Sequence, residues 1–266
     1  MSVMLTSSMR ANLSALQNTA TLMGTTQERL ATGKRVNSAI DDPTAYFSAK
    51  QGHESANNLD NLKAAMAEGL QTIKSATTAI DSAVSVLTQM KALVNQAKAT
   101  TIQSEKTEYA KQYNDLQSQL KTMMSTDIGY KGTNLLKGDA LKLQLAETAT
   151  SSINIAGQNV SGAAYIGASV ATSGAAIDAA GSAMDGAISK MRGLAKTLSS
   201  SAAYVQTRMD FASSMSSILK TGADNLVAAD TNSEAATMLA LQTQNTLGVS
   251  SLSMSNQSSQ AILRLF

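Results

Sequence analysis

The stretch Leu59–Thr101, LDNLKAAMAEGLQTIKSATTAIDSAVSVLTQMKALVNQAKATT, decides the fold. Leu59, Leu62, Met66, Gly69, Ile73, Ala76, Ile80, Ala83, Leu87, Met90, Val94, Ala97 and Thr101 lie alternately three and four residues apart without a slip. That spacing is the seam of a coiled coil. A continuous helix over this stretch would be roughly 60 Å long at 1.5 Å per residue, too long for an ordinary compact domain, so it needs partner helices along its length. Asn57 or Asn58 is placed to cap its start, which leaves 44–58 as a partly helical connector.

The same spacing recurs on both sides. Met9, Leu13, Leu16, Ala20, Met23, Gln27 and Leu30 form a seam that stops near Gly33, with Lys34 and Arg35 suited to a helix C-terminus. The Asn37–Pro43 run holds the only Pro of the chain and reads as a break. Beyond the long helix, Tyr109, Tyr113, Leu116, Leu120 and Met123 place a helix over 104–126, with Ser104 as its N-cap and the Asp127–Gly129 run as its end. Between 130 and 173 the period changes to two: Leu141, Leu143 and Leu145 alternate with polar residues, as do Ile153 and Ile155, which favours short strands over the alternative of a flexible exposed insert. A seam from Ile177 through Met184, Met191, Leu198, Val205 and Ala212 to Leu226 follows. The fold class is therefore mainly α: a long antiparallel helical bundle formed by the N- and C-terminal halves, with a small β-hairpin region in the middle. The chain runs out and returns, so its two ends should lie side by side.

The last 38 residues, Ala229–Phe266, read as one helix with two apolar sides. At 100° per residue Met238, Leu241, Val249, Leu252 and Leu263 share one side; Ala240, Leu247, Met254 and Leu265 share roughly the opposite one. Asn245 and Asn256 sit in the first stripe, as buried amides do when they fix register. A helix apolar on two sides must be covered on both. Either it slots into the core of its own domain, or neighbouring molecules complete it.

Composition bounds the function. Apolar residues make up 43% and aromatics only 3%, with no Trp, which suits thin, closely spaced helices. The net charge of +2, with no block of Lys or Arg on one face, argues against nucleic acid and anionic membrane as partners. There is no Cys, hence no disulfide and no thiolate metal site. No apolar run approaches a membrane span, and the N-terminus lacks the apolar segment of an ordinary secretory signal. The single His, His53, has no partner for a metal site or a triad. The Asp41-Asp42 pair reads as turn chemistry. No phosphate-binding loop is present. We find no catalytic residues and no cofactor or metal site, so the chain is read as a structural protein rather than an enzyme.

Three separated motifs carry a family resemblance. Arg29-Leu-Ala-Thr-Gly-Lys-Arg-Val-Asn-Ser-Ala-Ile-Asp-Asp42 resembles the N-terminal signature of bacterial flagellins. Tyr130-Lys-Gly-Thr-Asn-Leu-Leu136 is similar to their Phe-Asn-Gly-x-x-Leu-Leu stretch. Ala229-Asp230, Glu234-Ala-Ala-Thr, Leu241-Gln-Thr-Gln and Ile262-Leu-x-Leu-Phe266 are similar to their C-terminal tail. The resemblance implies a short flagellin holding the inner domains alone. Residues 1–43 and 227–266 would form the filament core domain and residues 44–226 an inner helical bundle, including the β region at about 130–173. It implies a homopolymer of many copies, secreted to the extracellular flagellum filament for swimming motility. Its partners would be the flagellar type III export apparatus, an export chaperone, the filament cap and hook-junction proteins. Termini disordered in the monomer and helical on assembly would put Leu5, Met9, Leu13, Leu16, Met23, Met238, Leu241, Asn245, Leu247, Val249, Leu252, Met254, Asn256, Leu263, Leu265 and Phe266 in the self-assembly interface. Two other readings share part of the pattern: a hook–filament junction protein, and an intracellular coiled-coil scaffold.

One departure has a consequence. Flagellins recognised by the vertebrate Toll-like receptor resemble Leu-Gln-Arg-Val-Arg-Glu-Leu-Ala-Val-Gln in the long helix, where this chain has Leu87-Thr-Gln-Met-Lys-Ala-Leu-Val-Asn-Gln96. Leu93 is kept, but Gln89 and Ala92 replace an Arg and a Glu. Weak or absent receptor activation is expected, since loss of a charged anchor commonly costs more than about 1 kcal/mol.

Overall fold

A computed structural model describes residues 7–127, 129–146, 151–170 and 174–263. In chain order the elements are α1 (Ser7–Thr32), α2 (Pro43–Ala99), α3 (Gln103–Thr122) running into a π-helical turn (Met123–Asp127), β1 (Leu141–Gln144), β2 (Ser152–Ile155), a one-turn α4 (Ala163–Ile166), α5 (Gly174–Val227) and α6 (Thr231–Leu263). Contacts divide the chain into two compact units. One comprises Met1–Glu54 with Ile218–Phe266, the other Ser55–Ser217.

Local chemistry explains most boundaries. Helix α1 ends where Gly33 takes φ +67°, a left-handed conformation that costs glycine little. In the turn that follows, the Asp41 carboxylate accepts hydrogen bonds from the Ser38 N–H (2.9 Å), the Ser38 hydroxyl (3.1 Å) and the Asn37 N–H (3.1 Å). These donors, the Ser38 N–H foremost, hold its pKa below the ordinary carboxylate value. Asp42 Oδ1 accepts from the Ala45 N–H at 3.0 Å, so Asp42 is the N-cap of α2 and Pro43 its first helical residue.

That cap corrects the expected helix start. Asn57 and Asn58 both lie inside α2, so neither is at its start, and 44–58 is not a connector. The apolar seam continues upstream of Leu59 through Ala56, Gly52, Ala49 and Ala45 in the same spacing, with no breaker to stop it. Helix α2 is consequently 57 residues and about 85 Å long. A second correction concerns α3, which starts at Gln103 with Ile102 at the cap position and no side-chain cap; Ser104 lies inside the helix. Thr100 takes over the capping work: its hydroxyl accepts from the Ile102 N–H at 3.2 Å and donates to Glu105.

The 55–217 unit has the core that the seams prescribe. Met66, Ile73, Ile80, Leu87 and Met90 of α2, Tyr113 and Leu120 of α3, and Ile177, Met184 and Met191 of α5 are fully buried. Alanines at 76, 79, 83, 97, 180 and 187 fill the rest of the helix contacts, which is how a core so poor in aromatics stays closely packed. Within this unit α2 and α5 run antiparallel, shown by Lys63–Ser213, Lys91–Asp185 and Lys98–Asp178 pairs. The last two are exposed ion pairs, worth at most about 1 kcal/mol each, so they report register more than they supply stability.

The two strands form an antiparallel hairpin with Leu141 opposite Ile155 and Leu143 opposite Ile153. Leu143, Leu145 and Ile155 are buried against the helices. Gly69 makes this possible, because a Cβ there would overlap both methyl groups of Leu143. Ahead of the hairpin, Asn134 organises the Tyr130–Leu136 motif. Its Oδ1 accepts from the N–H groups of Leu136 (2.9 Å) and Lys137 (3.2 Å), and its Nδ2 donates to the Met124 carbonyl (3.2 Å). A buried amide with its polar atoms matched fixes the turn without a desolvation penalty.

Candidate assembly surface

In the other unit, the two connectors are stitched together by backbone. The N–H groups of Arg35 (2.7 Å) and Val36 (3.3 Å) donate to the Val227 carbonyl, and the Ala229 N–H donates to the Gly33 carbonyl (2.9 Å). Lys34 and Ala228 thus form an antiparallel bridge. Val36, Ala49, Ala223 and Val227 bury a small apolar cluster beside it, with Ala45 and Tyr46 packed against them. Val227 closes the α5 seam here; Leu226, expected in that role, is exposed. Asp230 Oδ1 then accepts from the N–H groups of Asn232 (3.0 Å) and Ser233 (3.2 Å), capping α6.

From that clamp α1 and α6 run antiparallel and in contact. Arg29 Nη1 meets Glu234 Oε1 at 3.2 Å, joining the first and last of the three sequence motifs. Further along, Asn12 Nδ2 reaches Ser251 Oγ at 3.4 Å. Between these points Gly248 lies against Leu16, whose Cδ2 would be 2.7 Å from a Cβ there.

The burial pattern revises the expected seam. On α6 the sheltered positions are Glu234, Met238, Leu241, Asn245, Gly248, Leu252 and Ser255, a strict four-three alternation. Val249 and Asn256, counted into the inner stripe at 100° per residue, are exposed; Gly248 and Ser255 take their places. A paired helix follows a 3.5-residue repeat, and a straight-helix count drifts about 20° per heptad against it, enough to move the seam by one residue. Helix α1, whose expected seam already followed the four-three alternation, keeps every other expected position and changes those between. Met9, Leu16, Met23 and Leu30 face inward as expected, but Asn12, Thr19 and Thr26 alternate with them, while Leu13, Ala20 and Gln27 are exposed.

The seam is therefore thin and partly polar. Of the α6 residues Leu241 alone is buried among the described side chains, at 6% exposure. Leu239, Leu247, Val249 and Met254 of α6 and Leu13 and Leu22 of α1 are exposed, Leu247 at 64%. The second apolar side of the terminal helix is thus real and uncovered within the subunit. Leu5, Leu265 and Phe266 lie outside the described residues, as does the side chain of Leu263.

The receptor-related stretch lies in the other unit. Gln89 and Ala92 are exposed and Leu93 half-buried, and together with Gln112, Asp115, Leu116 and Gln119 they line a shallow groove between α2 and α3. Among the described residues no group of three His, Cys, Asp or Glu could hold a metal ion, and no helix is long and apolar enough to cross a membrane. His53 contacts Asp224 at 3.3 Å on the surface.

Sequence reasoning missed the Arg29–Glu234 pair, although both residues lie in motifs that carried the resemblance. It also missed Thr26, Gly248 and Ser255, whose small or polar side chains give no hydrophobic signal.

Comparison with known proteins identifies the family. The family model described as the bacterial flagellin N-terminal helical region matches residues 3–140, and that of the C-terminal helical region matches residues 182–266. Flagellin FljO of Caulobacter vibrioides is 29% identical over 261 residues, covering 96% of this chain and 95% of its own length. A flagellin of Brucella melitensis is 28% identical over 281 residues, covering 100% and 99%. A crystal structure of Bacillus cereus flagellin aligns with 55% of this chain and 86% of its own, at 16% identity and a TM-score of 0.49. With both terminal regions matched and relatives aligned nearly end to end, the chain belongs to the bacterial flagellins, the structural proteins that polymerise into the flagellar filament.

Proposed function

We propose that the paired terminal helices build the inner core of the filament and that copies of the chain cover one another's exposed apolar sides. In this reading residues 1–43 and 227–266 are the core domain, and residues 44–226 the inner bundle around it. The observation that carries it is the asymmetry of α6, which buries Leu241 but leaves Leu239, Leu247, Val249 and Met254 uncovered. A monomer exposing that many large apolar side chains on so thin a helix pair is incomplete. The small or polar inner positions, Asn12, Thr19, Thr26, Gly248 and Ser255, make the pair weak by itself. Order in the termini would then depend on assembly. Such a chain suits passage through the flagellar type III apparatus unfolded, with a chaperone shielding the C-terminal segment until export and the cap and hook-junction proteins receiving it outside the cell.

Leu252→Asp tests this. Leu252 is half-buried on the side of α6 facing α1. A carboxylate held there without a partner costs several kcal/mol. The variant should keep the circular dichroism of the long helices and fail to co-sediment with filament seeds. Normal incorporation would reject the assignment of α6 to the core.

A further inference from the structure

With no Cys in the chain, the thioethers of its 14 Met residues are the side chains most readily oxidised by peroxides. Folding protects nearly all of them. In the 55–217 unit Met66, Met90, Met124, Met184 and Met191 are fully buried, and Met123, Met209 and Met215 are half-buried. On the terminal helices Met9 is buried and Met23 and Met238 are half-buried, all three in the α1/α6 seam. Met254 alone among the described methionines is exposed, at 62%. It stands one heptad after Leu247 and two after Ala240, on the side of α6 away from α1, and all three are exposed.

We infer that Met254 is an oxidation site that couples peroxide to assembly: oxygen added to its sulfur in the free chain stops that chain from joining the filament, and joining shields the sulfur from later attack. This rests on the filament reading above, in which copies cover that side of α6. The sulfur attacks one oxygen of hydrogen peroxide. An S–O bond forms, the O–O bond breaks, and the departing hydroxide leaves as water after taking the proton of the transferred oxygen. Sulfur is oxidised by two electrons and the peroxide is reduced by two. The sulfoxide is polar where the thioether was apolar. Ala240 and Leu247 beside it offer no side-chain hydrogen-bond donor, so covering the S–O group costs a desolvation that covering the thioether does not. The seam on the other side is already partly polar. There Met9 is followed by Asn12 and Met23 by Thr26, whose amide and hydroxyl groups are donors suited to a sulfoxide oxygen, so oxidation at those positions costs assembly less.

The test uses the full chain and hydrogen peroxide. Free protein and finished filaments receive the same brief dose, and mass spectrometry locates the added oxygen residue by residue. Growth of the treated free protein on untreated seeds is referred to its own untreated sample. Met254 should take up oxygen in free protein while Met66, Met90, Met124, Met184 and Met191 do not, and Met254 should take up far less in filaments. The critical concentration of the treated protein should rise at least about tenfold. Reduction by the two methionine sulfoxide reductases with a dithiol, which becomes a disulfide as the oxygen leaves as water, should restore growth. Met254→Leu, which removes the sulfur and keeps the bulk, should show growth independent of the dose. A dose dependence in Met254→Leu equal to the parent's, growth unaffected by the Met254 sulfoxide, or equal oxidation of Met254 in filaments and in free protein would overturn the inference and leave the subunit reading standing. If Met254→Leu does not assemble, the reductases decide: growth still lost after the Met254 sulfoxide has been reduced would overturn the inference. Failure of the untreated protein to form filaments would overturn both.

Discussion

Leu247→Ala is the most informative single change on the terminal helices. Leu247 is 64% exposed in the subunit, on the side of α6 away from α1. Complete burial of a leucine side chain stabilises by about 1.5–3 kcal/mol, so covering its exposed two-thirds in the filament contributes about 1–2 kcal/mol per subunit. Alanine forfeits most of that. At 1.4 kcal/mol per decade the critical concentration for growth from seeds should rise about 5- to 30-fold. Thermal unfolding of the monomer should not move, because the residue has little to lose there. The assay is sedimentation of a concentration series grown on seeds, with a parallel circular dichroism melt. A critical concentration within twofold of the parent would show that Leu247 stays exposed in the polymer. A lowered monomer melting temperature would place it inside the subunit instead. Either result refutes the reasoning from the uncovered side.

Three further outcomes follow from other parts of the chain. Burial pushes the Tyr113 phenol up to about 12 from 10.0, and its hydroxyl donates to the Ala168 carbonyl at 3.2 Å. The neutral form is favoured in the folded state, so stability is intact below pH 10 and falls as pH rises through 12. Urea unfolding across that range should show this slope in the parent and a flatter one in Tyr113→Phe. A double-mutant cycle with Arg29→Ala and Glu234→Ala, read by filament melting, should give a coupling of about 1 kcal/mol, since the pair is partly sheltered; zero coupling would make it incidental. In a reporter-cell assay for the vertebrate receptor, this flagellin should respond weakly at most, because Gln89 and Ala92 offer no charge at two exposed positions; a response equal to that of a strongly recognised flagellin would contradict this.

The architecture was legible because the long seams are redundant. Thirteen positions in strict alternation over Leu59–Thr101 leave little freedom, and from Met66 to Ala97 each of them is buried. The hairpin was legible from period-two leucines and isoleucines, and its register pairs Leu141 with Ile155. Boundaries set by short-range hydrogen bonds were harder. Asp42, Asn57, Asn58 and Ser104 are all good caps by residue type; which of them works depends on where the seam stops, and α2 and α3 ignore three of the four. The terminal pair was read one residue out of phase at Val249 and Asn256. Its inner row is built from Gly248, Ser255, Thr19 and Thr26, which carry no hydrophobic signal, and on α6 the supercoil that selects Gly248 and Ser255 exists only once α1 and α6 are together. The Arg29–Glu234 contact joins residues 205 apart in the chain, beyond the reach of any local pattern.

The measurement that tests the account most directly is negative-stain electron microscopy of the purified protein, with and without sheared filament seeds and sulfate. Uncovered apolar sides on both terminal helices require long, uniform filaments growing from the seeds. Protein that stays monomeric under those conditions with helical termini by circular dichroism would contradict the account, because the thin α1/α6 pair would then be complete without its copies.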